Sequence, residues 1–361
     1  MNFELNEDEE MLKAVVDRFV TDRYDVERRR EFLSLPHGFS RKNWELLAEL
    51  GVMAVPFAEE CGGLGLDATA LAVTFEALGR GIVVEPVLES AILPGLLMQT
   101  GNNTDLAEAW IPRILSGEAR LGVGHPAARS ANGVQARPAD GGFVLDGEVP
   151  HVIAGAGAEG FVIAATLPDG TTAWLLVEAG AAGLTASSWR LADGTDTASL
   201  RLEAVQVRAD ARIEHDPQAL DRVFALASLA RCAEALGVME KIFAETLDYL
   251  RTREQFGAPI GSFQAIQHRM ATQYTALEQS RALVKLATVK DGSAEFSDHV
   301  DGARAFIAEA SIALGHEMIQ FHGGMGVTDE LSVGQGHKRL LVLSRWPEMP
   351  MATLDRYAAA A

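Results

Sequence analysis

Between Tyr249 and Ala271 the chain runs Y-L-R-T-R-E-Q-F-G-A-P-I-G-S-F-Q-A-I-Q-H-R-M-A, and Arg253 stands where one helical pattern must stop. Gly257, Ala258 and Pro259 then reverse the chain before a second helical pattern begins. Arg253, Gln255, Gln264 and Gln267 are interleaved with Phe256, Ile260 and Phe263, so donors and apolar groups share one corner. A guanidinium is a planar fork of N–H donors, which suits an anionic ligand such as a pyrophosphate. An ordinary helix corner with a solvated arginine fits the same residues, and this stretch alone leaves both readings open. Two further glycine-marked segments accompany it. Gln320-Phe-His-Gly323-Gly324-Met-Gly326 closes a helical stretch, and Val55-Pro-Phe-Ala-Glu-Glu-Cys-Gly62-Gly63-Leu-Gly65 is an acidic loop near the start.

These residues must be positioned by helices on either side of a β-rich segment. Asn6 and Glu9 have the spacing of a capping box, and Met11, Leu12, Val15, Val16, Phe19 and Val20 form a half-buried stripe. Trp44–Leu50 and Thr69–Leu78 continue the helical pattern. From about residue 119 the composition shifts to Val, Thr, Gly and short alternating runs. Asp146-Gly147 gives a hairpin signal within Phe143–Val149, and Phe161–Leu167 with Thr171–Val177 reads as two strands around Pro168-Asp-Gly170. Leu200, Leu202 and Ala204 alternate with charged residues until Val205 and Val207 shift the phase, as at a bulge. After Pro217 long helices return: Met239–Leu250, Gln264–Lys290 and Val300–His322. The expected class is α+β, with an α-helical domain over 1–117, a β domain over 118–212 and an α-helical domain over 213–361.

Composition narrows the function. The 361 residues are 48% hydrophobic and carry a formal charge of −19. That field disfavours nucleic acid and anionic membrane, so an anionic ligand needs a local basic cluster. Cys61 and Cys232 are far apart and suggest neither a disulfide framework nor a metal site. The acidic start lacks the apolar core of a signal peptide, and no apolar run would span a membrane, so a cytoplasmic location is expected.

Taken together, R-x-Q-F-G-x-P-I-x-x-F-Q-x-x-Q, Q-x-x-G-G-x-G and the acidic loop ending in G-G-x-G resemble three signatures of the acyl-CoA dehydrogenase family of flavoenzymes. They occur in the family's order and at about its spacing over nearly the whole chain. The resemblance implies an N-terminal α-helical domain, a middle β-barrel and a C-terminal four-helix bundle. It also implies FAD, an acyl-CoA thioester as substrate and an electron-transfer flavoprotein as the default acceptor. The family reaction removes an α proton with a carboxylate while the β hydride passes to the flavin. The strong negative charge weighs against the DNA binding known in one branch.

The catalytic positions depart from this pattern. Aligned with the family, the usual base falls on Pro347, with Glu348 one residue away; on a helix that is about 100° around the axis. The base position used by other members falls on Ala227, which takes no proton. Glu234 and Glu240 lie farther along that helix and are expected to be solvated charges. The family's T-E-P-x-A-G-S-D corresponds here to Gly124-His125-Pro126-Ala127-Ala128-Arg129-Ser130-Ala131, in which Pro126, Ala128 and Ser130 match. The W-I-T segment beside the flavin ring corresponds to His151-Val152-Ile153, so the threonine donor is lost. His125 and His151 bring imidazoles to these segments, where they could donate to a flavin, but a polar residue with no ligand to serve is the preferred reading of each.

The matching residues resemble one half of the family's flavin site. Arg253, Gln255, Phe256, Gln264, Gln320, Gly323 and Gly324 correspond to the part lent across a subunit interface to the pyrophosphate and adenosine end of a neighbour's FAD; Ser130 is a remnant of the cis half. Glycines there let backbone approach the dinucleotide. Heteromeric acyl-CoA dehydrogenases of steroid side-chain breakdown divide labour in this way, and small subunits of pimeloyl-CoA dehydrogenase are similar to this chain. Cys232-Ala-Glu-Ala-Leu-Gly and His322-Gly-Gly-Met-Gly carry that resemblance. The expectation is an oligomer, either an α2β2 assembly with a second acyl-CoA dehydrogenase chain or a homo-oligomer that uses Glu348. A flavin-free acyl-CoA-binding scaffold is the third alternative. A bulky or dicarboxylic acyl-CoA follows from the same branch.

Overall fold

The computed structural model describes residues 4–125 and 133–360. The first helices are α1 (Glu7–Arg23), α2 (Val26–Ser34), α3 (Arg41–Glu49), α4 (Ala68–Gly81), α5 (Leu93–Gln99) and α6 (Thr104–Leu115). The strands are β1 (Leu121–Gly124), β2 (Gln135–Ala139), β3 (Gly142–Ile153), β4 (Gly160–Thr166), β5 (Thr172–Glu178), β6 (Leu184–Arg190), β7 (Asp196–Arg208) and β8 (Arg212–Ile213). The chain then forms α7 (Pro217–Thr252), a small hairpin of β9 (Glu254–Gln255) and β10 (Ala258–Pro259), and helices α8 (Gln264–Thr288), α9 (Phe296–His322), α10 (Ser332–Arg345) and α11 (Pro350–Ala360). The expected order of helical, sheet and helical regions is therefore observed. No helix among the described residues is long and apolar enough to cross a membrane.

Local chemistry explains the boundaries. Asn6 accepts from the Glu9 backbone at 2.9 Å, and Glu9 accepts from the Asn6 backbone at 2.8 Å, so the capping box starts α1 as the spacing predicts. Asp146-Gly147 does not turn the chain. β3 runs straight through it, and the register against β7 shifts between Leu145 and Gly147. Asp146 accepts from the backbone of Ala204, whose φ is 52°, at 2.8 Å. The pair thus marks a bulge facing the phase shift of β7. The turn between β2 and β3 is instead made at Asp140-Gly141, since Ala139 pairs with Gly142.

Packing divides the chain into two compact units. One holds the eight-stranded sheet in the order β6-β7-β3-β2-β4-β5-β8, with β1 paired to β4, together with α3, α5, α6 and the start of α7. Leu145, Phe161, Ile163, Leu175, Leu200 and Val205 form the centre of its core. A π-helical turn at Leu88–Ile92 leads into α5.

The other unit takes in the chain up to Phe32, Asp67–Val83 and everything from Ser228 onwards. Here α4 and α7 touch backbone to backbone. A Cβ on Gly79 would lie 2.2 Å from the carbonyl oxygen of Glu234, and one on Gly237 would lie 2.0 Å from that of Glu76. The expectation that Glu234 and Glu240 are solvated is corrected in this unit. Glu234 is buried and receives Arg339 Nε at 2.6 Å. Glu240 is bonded by Arg80 at 3.0 Å and by Arg281, and Arg80 also reaches Glu76 and Asp17. These carboxylates tie helices together.

Candidate functional site

The arginine corner is a hairpin tip. α7 ends at Thr252, Gln255 pairs with Ala258, and Phe256-Gly257 forms the two-residue turn with φ of 56° and 78°. Two positive φ values suit Asn or Gly; a phenylalanine there carries backbone strain of about 1–2 kcal/mol. Phe256 is nevertheless 94% exposed and sits edge-on to Phe263, at 6.3 Å between ring centres. Arg253 and Gln255 are exposed beside it, and Gln264 is exposed as the first residue of α8. Among the described residues no carboxylate pairs with the Arg253 guanidinium, whereas the neighbouring Arg251 bonds Asp248 at 3.3 Å.

The second glycine segment meets this corner. His322 stacks on Tyr249 with ring centres 4.4 Å apart and planes 20° from parallel, which joins the last turn of α9 to the last turn of α7. Arg269 adds a second tie: it bonds Glu317 at 2.6 Å and lies 4.7 Å over the ring of Phe321. Gln320, Gly323 and Gly324 are exposed at this junction. Gly323 (φ 60°, ψ −140°) has a conformation open only to glycine. Gly324 has no such backbone demand, and a Cβ there would meet nothing within 4 Å. The chain's own packing therefore does not require glycine at 324; close approach by an external group would. Tyr249 and His322 were missed in the sequence because their pairing depends on the crossing of two helices far apart in the chain.

The base positions are built differently. Ala227 is buried on α7 and has no acid. Pro347 lies in a turn held from beneath by Arg304, which is 3% exposed. Arg304 donates to the carbonyls of Trp346 at 2.7 Å, Glu348 at 3.2 Å and Leu343 at 3.4 Å. Burial lowers its pKa, with nearby Arg231 acting in the same direction. A trace of this was legible: Arg304 interrupts the otherwise uncharged stripe of Val300, Ala303, Ile307 and Ala308. Glu348 accepts from Arg356 at 2.5 and 2.9 Å and from Thr353 at 3.2 Å, and Arg356 is also forked onto Asp301. Burial acts to raise the pKa of Glu348, but the bonds and charge of Arg356, with Thr353 and Arg304, bring it below the usual value. A carboxylate held ionised by an arginine is a poor proton acceptor for catalysis.

The counterpart of the flavin-ring segment lies in the sheet unit. His125 sets its ring edge-on to Phe224 at 4.8 Å, and Phe224 lies 5.8 Å from Trp174. His151 is exposed on β3 and edge-on to Trp189 at 5.6 Å. Ile153 is buried, pairs with Thr197 and brings no donor. Ser130, Pro126 and Ala128 fall outside the described residues.

Comparison with known proteins decides the family. Residues 6–118 match the acyl-CoA dehydrogenase N-terminal domain, and residues 218–346 match the acyl-CoA dehydrogenase C-terminal domain, together more than half of the chain. The chain belongs to the acyl-CoA dehydrogenase family. It is therefore an oxidoreductase of a flavoprotein family whose cofactor is FAD. Acyl-CoA dehydrogenase FadE27 of Mycobacterium tuberculosis is 29% identical over 336 residues, covering 91% of this chain and 90% of that protein. Acyl-CoA dehydrogenase IpdE2 of Mycolicibacterium smegmatis is also 29% identical, over 93% of each. Among solved structures, a chain of the ChsE4-ChsE5 complex from Mycobacterium tuberculosis superposes with a TM-score of 0.92 at 27% identity, covering 99% of this chain and 98% of that one. A chain of a Tcur3481-Tcur3483 steroid ACAD variant gives 0.87 at 27% identity, over 98% of this chain and 97% of that one.

The acyl-CoA dehydrogenase residues present fit FAD unevenly. Arg253, Gln255, Gln264 and Gln320 offer exposed donors, with open space above Gly324, and these fit the pyrophosphate and adenosine end. The ring segment fits poorly, because a buried Ile153 stands where a hydrogen-bond donor would be needed.

Proposed function

We propose that this chain is the base-deficient subunit of a heteromeric acyl-CoA dehydrogenase. In that assembly FAD supplies the hydride chemistry of α,β-dehydrogenation, and the partner chain supplies the base. Arg253 holds the pyrophosphate with charge-assisted bonds, Gln255, Gln264 and Gln320 orient the dinucleotide, and Gly323-Gly324 leaves room for it. The observation that carries this reading is the contrast between two sets of residues. An Arg253 with no carboxylate partner among the described residues and a 94% exposed, strained Phe256 stand ready for something outside the chain, while neither base position offers a free carboxylate. The similarity to one chain of the ChsE4-ChsE5 complex supports a heteromer, and the steroid ACAD supports a bulky acyl-CoA as substrate. An electron-transfer flavoprotein is the acceptor that family membership favours.

The test is isolation of the tagged chain from its native host. Subunit composition, flavin content and acyl-CoA oxidation with an artificial electron acceptor are then measured. A second acyl-CoA dehydrogenase chain in equal amount, with turnover only when both are present, is the expected result. A homo-oligomer that oxidises acyl-CoA alone would overturn the proposal.

A further inference from the structure

α10 is seated by two glycines near its start. A Cβ on Gly334 would lie 2.5 Å from the carbonyl oxygen of Thr328 and 2.8 Å from that of Gly326, so the loop that begins at Gly323 rests directly on the first turn of this helix. A Cβ on Gly336 would lie 2.5 Å from the side chain of Ile242, which shows how closely α10 approaches α7. Between these glycines Gln335 is 3% exposed. Its Nε2 donates to the carbonyl of Asp329 at 2.8 Å, just past the Gly323–Val327 turn, and its Oε1 accepts from Arg29 Nη1 at 3.2 Å. A guanidinium only donates, so Arg29 fixes which way the amide faces: oxygen towards α2, nitrogen towards the loop. Arg29 is itself buried, and its Nε donates to the carbonyl of Ile82 at 2.9 Å. Ile82 ends α4 with a φ of 49°, a conformation that a β-branched residue adopts only under constraint. A buried guanidinium, a buried amide and a strained isoleucine are each costly, and they act in series on one carbonyl.

We infer that Gln335 and Arg29 are positioning residues for FAD: acting through Asp329, they hold the Gly323–Val327 turn where its backbone meets the adenosine end of a neighbour's flavin. The inference rests on the reading of that loop given above. Neither residue touches the cofactor. Gly334 provides the floor and Gln335 the tether, so the loop neither sinks nor lifts. On the outer side a Cβ at Gly324 meets nothing within 4 Å, so the height of the loop is set from beneath.

The test uses the assembly isolated from the native host, with flavin removed by dialysis against potassium bromide. It is titrated with FAD and with FMN, which lacks the adenosine end. Gln335→Glu keeps the side-chain size and the bond from Arg29 but loses the donor to Asp329. It should weaken FAD binding by about 3- to 10-fold, the worth of one such hydrogen bond, and leave FMN binding unchanged. Should Gln335→Glu fail to fold, Gly334→Ala stands in, since its methyl lifts the same loop from the floor. Equal weakening of FAD and FMN marks general structural damage and overturns the assignment. So do unchanged FAD binding and failure of both variants to fold. Arg253→Ala separates the two proposals. If it weakens FAD binding while Gln335→Glu does not, the trans contact stands and the positioning role fails. If Arg253→Ala leaves FAD binding unchanged, the flavin reading fails and this inference falls with it.

Discussion

Phe256→Gly should move two measurements in opposite directions. In the isolated chain the substitution relieves a positive φ of 56°, worth about 1–2 kcal/mol, against roughly 0.5–1 kcal/mol of added unfolded-chain entropy for glycine. Removing the ring also gives up its edge-on packing against Phe263, worth about 0.5 kcal/mol at such exposure. The balance is near zero or slightly favourable, so the melting temperature should stay within ~2 °C of the parent or rise. Assembly behaves differently. The ring is 94% exposed, so nearly all of its apolar area is available to a partner, and covering it contributes about 2–3 kcal/mol. Its loss should weaken the complex by roughly 30- to 150-fold. Sedimentation velocity of the purified complex across a dilution series, beside a melting curve of the free chain, reads both. A clear fall in melting temperature with unchanged association would show that Phe256 serves its own fold, and the interface reasoning would be refuted.

Gly324→Ala should leave the melting temperature unchanged, because its Cβ meets nothing, while lowering the flavin content of the assembly; Gly323→Ala should also destabilise the chain, by about 1–2 kcal/mol, through its φ of 60°. Urea titration and the visible spectrum distinguish the two. His337 is buried beside His316, and burial, then the charge of His316, lowers its pKa to about 4. Its neutral form is the folded one, so stability should fall as pH drops from about 6.5 towards 4, by at most about 3 kcal/mol, and His337→Gln should flatten that slope in chemical denaturation. Glu348→Gln removes a partly exposed ion pair with Arg356 and should cost about 1 kcal/mol of stability while the assembly keeps its turnover; abolished turnover with flavin retained would make Glu348 the base.

Much of the architecture was legible because it rests on short-range chemistry. The Asn6–Glu9 box, the β4–β5 pair and the bulge in β7 are each decided by a few neighbouring residues. Asp146-Gly147 was misleading because a positive-φ glycine serves a bulge as well as a turn, and strand pairing chose the bulge. Glu234 and Glu240 were misread because the charge of a helical residue says nothing about which helix covers it; Arg339 and Arg281 supply that information from distant parts of the chain. At the proposed site, Arg253, Gln255, Gln320 and the glycine pair are carried by the resemblance of their motifs to those of the family. The stack of His322 on Tyr249, which brings the two segments together, depends on how α7 and α9 cross.

The Arg304 clamp has an evolutionary consequence. Three carbonyls of the segment around residue 347 are committed to one buried cation. A codon change that put glutamate at 347 would place the acid on a turn already held by Arg304. Removing the arginine first would strand those carbonyls in the interior, at a cost that a marginally stable chain tolerates poorly. Regaining the acid would thus require several coordinated changes, each harmful alone. Under the heteromeric proposal, loss of the proton acceptor would behave as a ratchet, and dependence on a neighbour that still carries one would become permanent.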